Sequence, residues 1–386
     1  MHPRHLLFPL LLAVAFASCK KDDTEAEVSV ITYPDNTPAY EMGRFNPAQH
    51  LSAQIKDGDT TLFLWDDDGN DALRLSAIER HGRRYPATYN DDGQIVSMVI
   101  APTDILPEHS LNFTYTSQLL SQMDFRSSIG LTLMHGDVTC DGQKIKKVEY
   151  SSIDPTMLMP FVNSFLPAQT DGDHLIKSFN LTALNSQYSW TGDNVSGERL
   201  EASASADLQI GVLVDKLHLD TSFYRLIIGA LQLDTISSAL SSFITPELIE
   251  QFINAMHDSV CHVTIDVDMT KDYTYDACAN PIYGFWGFGL LGRTHVLSHN
   301  NIVGETRGGA ANVHLHVNLP QDVPDGSGWQ LQMLLLFINL QYPDGLDYTF
   351  PIDLTKTTSL SITYSSTGMP TIVTKGQSRT TYLYAD

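Results

Sequence analysis

The chain has 386 residues, with 45 Asp or Glu, 23 Lys or Arg and a formal net charge of −22. So acidic a chain repels phosphate backbones, and no cluster of Lys or Arg interrupts it, so the composition argues against nucleic-acid binding and against electrostatic docking to anionic lipid. Hydrophobic residues make up 42% of the chain, enough for a large core, and the length favours two domains.

The N-terminal segment combines Arg4, the apolar run Leu6–Phe16 and the small pair Ala17–Ser18 directly before Cys19. The run is too short to cross a bilayer as a permanent helix, and the layout is typical of a cleaved signal. It resembles the signal of bacterial lipoproteins, although Phe16 stands where that family more often has Leu. The KKDD sequence at Lys20–Asp23 resembles the tag after the lipidated cysteine in surface-exposed lipoproteins of Bacteroidota.

This resemblance implies that residues 1–18 are removed and that Cys19 carries the lipid. Two or three acyl chains hold a protein on a membrane almost irreversibly. The expected location is therefore the outer membrane, at the cell surface, with the membrane itself as one partner of the protein.

Composition divides the mature chain into three parts. Residues 19–55 are acidic and dotted with proline, which predicts a flexible tether. Gln187–Ala206 is poor in large apolar residues and rich in Ser and Gly, which favours a boundary between an N-terminal β-rich domain (56–190) and a C-terminal α+β domain (200–386).

The first half is predicted to be built from hairpins. Two similar strand–turn–strand units, about 24 residues apart by their Asp-Gly pairs, turn at Asp66–Asp71 and at Asn90–Gln94. The pair Asp92–Gly93 supplies the positive φ angles that a tight turn needs. Further elements are predicted as strands at Leu111–Tyr115, Ile129–Met134 and Lys144–Tyr150 and a short helix at Pro155–Phe165.

The second half is predicted to hold two helices, at 222–242 and 246–257, the second beginning at Thr245–Pro246–Glu247. The other elements read as strands: Leu208–Val214, Cys261–Met269, Thr294–Val303, Asn312–Leu319, Leu331–Leu340, Thr358–Tyr364 and Thr371–Thr374. Clean alternation of apolar and polar residues favours antiparallel sheet with one wet face. The predicted fold class is therefore mainly β with a few helices (α+β).

Three cysteines remain besides Cys19, so at most one disulfide and one free thiol can form among them. Cys261 and Cys278 are close enough in sequence to pair across neighbouring strands, which an oxidising export route would permit. Three buried thiols, with Cys140 as the third, are the alternative.

Two groups of residues are candidate metal ligands. Asp66–Asp71 fails the EF-hand calcium template, because that template needs Gly at position six and Glu at position twelve. His314 and His316 share one strand face, and His295 and His299 on the preceding strand could join them in a zinc site. A solvated polar face explains the same alternation, so no metal and no cofactor are predicted.

The segment Tyr283–Gly292 interleaves four aromatic residues with four glycines. As an exposed loop it would bind a sugar ring or an apolar ligand through Tyr283, Phe285, Trp286 and Phe288. As a glycine-kinked strand it would place the same rings in the core.

No catalytic motif is present: the chain has no nucleophile elbow, zinc helix, Walker loop or C-x-x-C pair. We therefore expect a surface-exposed, lipid-anchored binding protein for a glycan, nutrient or other small molecule, which can also contact an outer-membrane protein. The alternatives are a carrier of lipid or another apolar ligand, a structural or adhesive pilus-associated subunit, and a hydrolase using a carboxylate pair.

Overall fold

The computed structural model describes residues 41–45, 47–67, 73–100, 102, 108–152, 176–210, 245–256, 259–285, 294–320 and 328–385. These ranges contain 18 β-strands, two α-helices and one 3-10 helix. The shorter strands come first: β1 Leu51–Lys56, β2 Asp59–Asp67, β3 Leu73–Arg80, β4 Arg83–Tyr89, β5 Ile95–Ile100, β6 His109–Thr116, β7 Leu119–Ser127, β8 Thr132–Asp141 and β9 Lys144–Ser152.

The second half opens with four long strands: β10 Ile176–Thr191, β11 Asn194–Gln209, β12 Val260–Ala279 and β13 Asn300–Val317. Five shorter strands follow: β14 Leu346–Asp353, β15 Lys356–Ser359, β16 Ser361–Tyr364, β17 Pro370–Lys375 and β18 Ser378–Tyr384. The helices are α1 Pro246–Ala255, the 3-10 helix Thr294–Leu297 and α2 Trp329–Gln341. None of the helices in the described ranges is long and apolar enough to cross a membrane.

Strand pairing is antiparallel throughout the described residues and mostly joins neighbours in sequence. Each strand from β1 to β13 pairs with the next, and β13 pairs with both β14 and β15. β16 pairs with β17 and β17 with β18, and β18 returns to β1, where Lys56 lies opposite Thr380. The predicted mainly β, antiparallel class with a few helices is confirmed.

One face of the long strands, the inner face, is buried because apolar residues occupy every second position. On β12 these positions are Cys261, Val263, Ile265, Val267 and Met269. The helices pack on this face, and one apolar cluster contains these β12 residues together with Leu248 and Phe252 of α1 and Leu331 and Leu335 of α2. Each fully buried Leu or Phe contributes about 1.5–3 kcal/mol, so this cluster is a main source of stability.

The strand predicted at Leu331–Leu340 is wrong, because this run forms most of α2. Its buried residues follow the three- and four-residue spacing of a helix face: Leu331, Leu334, Leu335 and Ile338. The opposite face is apolar too, with four side chains more than half exposed: Trp329, Met333, Leu336 and Leu340. Only Gln332 and Asn339 interrupt the apolar run Leu331–Leu340. So apolar a run shows little periodicity, and its sequence therefore does not distinguish helix from strand.

Other differences are local. The strand predicted from Thr294 begins at Asn300, after the 3-10 helix, and Ile129 lies in the turn before β8. Cys261 and Cys278 lie at opposite ends of the single strand β12, so they cannot pair across neighbouring strands; both are buried and neither forms a disulfide. The predicted helices at 155–165 and 222–242 lie outside the described residues, whereas α1 confirms the helix predicted at 246–257.

The predicted segment boundaries fall on regular structure. Gln187–Ala206 lies within β10 and β11, which pair with each other over nearly their whole length. The folded region also starts earlier than residue 56, because Met42 is 2% exposed and β1 lies between β18 and β2. The tether predicted for 19–55 therefore overlaps residues that belong to the fold.

Candidate ligand-binding site

The inner face changes from apolar to charged at one level of the long strands. Lys271 is the next inward position of β12 after Met269, and it lies opposite Glu198 of β11. The Lys271 Nζ is 2.9 Å from Glu198 Oε2, and the Tyr273 hydroxyl donates to the same oxygen at 2.9 Å. Two buried charges are tolerated only when good geometry and further hydrogen bonds compensate for their desolvation, and Tyr273 supplies such a bond.

The charged level continues across the next strands. Lys271 lies opposite Arg307 of β13, and Arg307 lies opposite Lys356 of β15. Arg307 Nε donates to Glu305 Oε1, and the Lys375 Nζ of β17 lies 3.9 Å from Glu305 Oε2. β17 pairs with β16 and β18, whereas β13 pairs with β12, β14 and β15, so the contact of Lys375 with Glu305 joins two strands that do not pair with each other in the described residues. We name these side chains together the inner polar cluster: Glu198, Lys271, Tyr273, Glu305, Arg307, Lys356 and Lys375.

Glu305 of this cluster is held ionised by the surrounding cations. Burial raises the pKa of Glu305, but its hydrogen bond with Arg307 and the charges of Arg307, Lys375 and Lys271 outweigh burial and hold the pKa below its ordinary value. The Glu305 side chain is only 12% exposed. Glu305 is therefore a carboxylate and not a proton donor at neutral pH.

The cations of the cluster repel one another. Burial lowers the pKa of Lys375; Glu305 opposes this, whereas the charges of Arg307, Lys56 and Lys271 lower the pKa further. Burial and the charge of Lys375 likewise lower the pKa of Lys356. These ammonium groups are thus close enough to disfavour each other's charge.

The predicted ligand-binding residues Tyr283 and Phe285 lie inside the fold. Phe285 is 1% exposed, and its ring centroid lies 4.9 Å from that of Phe45 and 6.5 Å from that of Phe63. Tyr283 is 9% exposed and meets the His299 ring edge-on at 5.4 Å. These two rings fill the core and do not present a face to solvent. The other two predicted residues, Trp286 and Phe288, lie outside the described residues, so their role stays a prediction.

Three of the histidines considered for zinc, His299, His314 and His316, do not come together. His314 and His316 lie on the outer face of β13, where His316 Nδ1 is 2.9 Å from Asp347 Oδ1. His299 precedes the other end of β13, so roughly 50 Å of strand separates it from His314. Within the described residues no group of three or more His, Cys, Asp or Glu is placed to hold a metal ion. The aspartate run continues into residues 68–71, which lie outside those described.

A row of polar residues on the outer face contains Ser, Asp and His but not a catalytic triad. Ser178, Asp207 and His262 lie opposite one another on β10, β11 and β12. Ser178 Oγ donates to Asp207 Oδ2 at 2.6 Å, and Asp207 Oδ1 is 2.8 Å from His262 Nδ1. Activation of a serine requires contact between hydroxyl and imidazole, and here the carboxylate separates them.

The inner polar cluster contains none of the residues predicted as a site, although β12 carries a signal for it. In the segment 261–273, alternate positions read Cys, Val, Ile, Val, Met and then Lys271. A lysine at an inward position of an apolar alternation indicates a buried charge that needs a partner. The partners Glu198 and Glu305 lie on other strands, so only the folded chain shows them.

Comparisons with known proteins give no family. No protein-family model and no curated protein matches the chain. Among solved structures, a porin-like protein from Bacteroides vulgatus ATCC 8482 aligns with a TM-score of 0.26 and 8% identity over 87% of this chain and 99% of that one. A porin-like protein from Bacteroides uniformis ATCC 8492 aligns with a TM-score of 0.25 and 8% identity over 87% and 98%. Superpositions at TM-scores this low establish neither a shared fold nor a shared function.

Proposed function

We propose that the mature protein is a lipid-anchored binding protein on the outer membrane surface, and that the inner polar cluster holds its ligand. The observation that carries the binding role is the charged level on the inner face, where Lys271 and Glu198 replace the apolar residues of the same strands. Apolar side chains of similar volume usually fill a protein interior at a lower free-energy cost than a buried ion pair does. Charged and hydroxyl groups at this level therefore favour recognition of a polar ligand such as a glycan or another nutrient.

The anchor and the location are supported by the sequence alone. Cys19 follows a lipoprotein-like signal, and Lys20–Asp23 resembles the tag of surface-exposed lipoproteins. Cys19→Ser should remove the protein from the membrane fraction and eliminate the mass of the attached diacylglyceryl group. Membrane association that survives this substitution would contradict the anchor, and resistance of the wild type to protease on intact cells would contradict surface display.

Two alternatives are less well supported. A carrier of an apolar ligand requires an apolar cavity between the helices and the sheet. Here α1, α2 and β12 pack against one another in one cluster of buried side chains that includes Phe252 and Leu335. The hydrolase requires two nearby acids in contrasting protonation states. Asp276 has a pKa raised by burial, but it accepts hydrogen bonds from Tyr364 and Asn301, and no other carboxyl group is among its described partners. A pilus-associated role and an outer-membrane protein partner stay predictions.

Thermal unfolding in the presence of neutral sugars, acidic sugars and small metabolites tests the binding function. We expect at least one compound to raise the unfolding midpoint of the wild type, because a ligand that binds only the folded state stabilises it. Tyr273→Phe should reduce this rise, since it removes one hydroxyl from the inner polar cluster. Tyr348→Phe is the matched control, because Tyr348 is 43% exposed and lies outside the cluster. An equal effect of both variants, or no stabilising compound, would overturn the proposal.

A further inference from the structure

The inner polar cluster has more positive than negative charge, in a chain whose formal net charge is −22. Its cations are Lys271, Arg307, Lys356 and Lys375, and its carboxylates are Glu198 and Glu305, which leaves two positive charges in excess. Basic residues are outnumbered about two to one in the whole chain. Their concentration at one level of the inner face is therefore a local reversal of charge.

The two carboxylates of the cluster are already engaged. Glu198 binds Lys271 at 2.9 Å and also accepts a hydrogen bond from Tyr273. Glu305 binds Arg307 through its Oε1 and lies 3.9 Å from Lys375 through its Oε2. Within the described residues, no ion pair joins Lys356 to an acidic side chain.

The geometry points to an anionic ligand: a small molecule whose carboxylate, phosphate or sulfate group binds between Arg307, Lys356 and Lys375. This inference rests on the proposed binding function and specifies its ligand. The Nε of Arg307 is used by Glu305, and its terminal nitrogens form no hydrogen bond with the described residues. A guanidinium fork with free terminal N–H groups matches two oxygens of a carboxylate, phosphate or sulfate.

Burial within the cluster increases from Lys375 to Glu198, so a ligand would enter from the side of Lys375. The side chain of Lys375 is 43% exposed, that of Arg307 is 19% exposed, and those of Lys271 and Glu198 are 7% and 1% exposed. An anion arriving beside Lys375 would replace water around ammonium groups that repel one another. Lys56 adds a further cation nearby, although Asp59 lies opposite it and binds Arg80 at 2.9 Å.

Calorimetric titration with inorganic phosphate, inorganic sulfate, glucuronate and glucose, at one ionic strength set with chloride, tests this inference. We expect at least one of the three anions to bind, and glucose to bind at least tenfold more weakly than glucuronate. In a separate series at rising salt concentration, the affinity for the anion should fall. Lys356→Gln and Lys375→Gln should each weaken the anion at least tenfold. Lys146→Gln should not, because Lys146 is 56% exposed and pairs with Asp141 outside the cluster.

The outcomes separate the ligand class from the binding function. Equal affinity for glucose and glucuronate, changed by Tyr273→Phe, would overturn the anionic ligand and leave the binding function standing. An anion whose affinity is the same in both lysine variants and in Lys146→Gln binds elsewhere, which also overturns the inference. Absence of binding by every probe in both the titrations and the thermal screen would overturn the binding function itself. Circular dichroism of each variant verifies that it is folded.

Discussion

Lys271 and Glu198 form an ion pair inside the fold, with side chains that are 7% and 1% exposed. Glu198→Gln would leave the Lys271 ammonium buried without its counter-charge, and breaking such a pair costs about 3–5 kcal/mol. We therefore expect the free energy of unfolding, measured by urea denaturation, to fall by about this amount. Glu198→Gln combined with Lys271→Met should recover most of the loss, because both charges are then absent.

A control pair lies on the opposite face of the same two strands, β11 and β12. Arg199 and Asp268 form an ion pair whose side chains are 48% and 62% exposed. Asp268→Asn should leave the free energy of unfolding nearly unchanged, since exposed pairs are screened by solvent. If Glu198→Gln were as mild as Asp268→Asn, the charged level would not be part of the interior.

Leu335 and Leu336 are neighbours on α2 with opposite environments, 1% and 54% exposed. Leu335→Ala should lower the free energy of unfolding by about 2–5 kcal/mol, because it leaves a cavity in the main apolar cluster. Leu336→Ala should change it by no more than about 0.5 kcal/mol, as expected for a surface position. The two variants, followed by urea denaturation, also test the helix. A strand would bury 331, 333 and 335 together, so a large loss in Met333→Ala would contradict α2.

His135 and Asp124 give a pH dependence that can be assigned. The hydrogen bond of Asp124 with His135 Nδ1, at 2.6 Å, raises the pKa of His135. Because the folded pKa exceeds the unfolded one, this contribution is present in full below about pH 6.5 and is lost as pH rises through the folded pKa. Asp124→Asn should lower the pKa of His135 in an NMR titration and reduce the free energy of unfolding at pH 6.

The contribution of Asp124 to stability depends on pH in the opposite direction from that of His135. Burial raises the pKa of Asp124, but its hydrogen bonds with His135 and Arg126 outweigh burial and leave the pKa lowered. Its contribution is therefore present above the ordinary carboxyl range and is lost as pH falls through the folded pKa. His81 is the control, since its contact with Asp59 is exposed on both sides. If His81→Asn altered the pH profile as strongly as Asp124→Asn, the assignment would fail.

Local structure was predictable from sequence where a few adjacent residues determine it. The turn between β4 and β5 forms as Asp92–Gly93 predicts, with Gly93 at φ 76° and the Gln94 N–H bonded to Asn90 Oδ1. The start of α1 is similar, because Thr245 Oγ1 accepts the N–H of Leu248 as a helix cap. In both cases the side chain and its backbone partner are within four residues.

Non-local contacts explain what the sequence left unpredicted. Ser378 Oγ donates to Asp57 Oδ2 at 2.7 Å although 321 positions separate them, and this contact belongs to the pairing of β1 with β18. Periodicity within a window does not reveal such a partner. The inner polar cluster also depends on non-local contacts. Lys375 of β17 contacts Glu305 of β13, and these two strands are distant in sequence.

Cys261 and Cys278 should be unreactive while the protein is folded. Burial raises the pKa of each thiol to about 11, so the thiolate needed for alkylation is scarce at neutral pH. We expect iodoacetamide at pH 7 to modify both slowly in native protein and rapidly in urea, as followed by peptide mass spectrometry. A disulfide-linked peptide containing both cysteines, isolated without reduction, would contradict their positions at opposite ends of β12.

Substitution of Phe285 tests whether this ring of the aromatic–glycine segment belongs to the core or to a binding surface. Its ring packs between Phe45, which precedes β1, and Phe63 on β2, so it joins parts of the chain that are distant in sequence. Phe285→Ala should lower the free energy of unfolding by about 3–5 kcal/mol, as the loss of a buried phenylalanine does. Tyr348→Ala, at an exposed position, should cost far less. Loss of ligand binding in Phe285→Ala should therefore appear only together with unfolding. A variant that keeps wild-type stability and still loses the ligand would place this ring at the binding surface and not in the core.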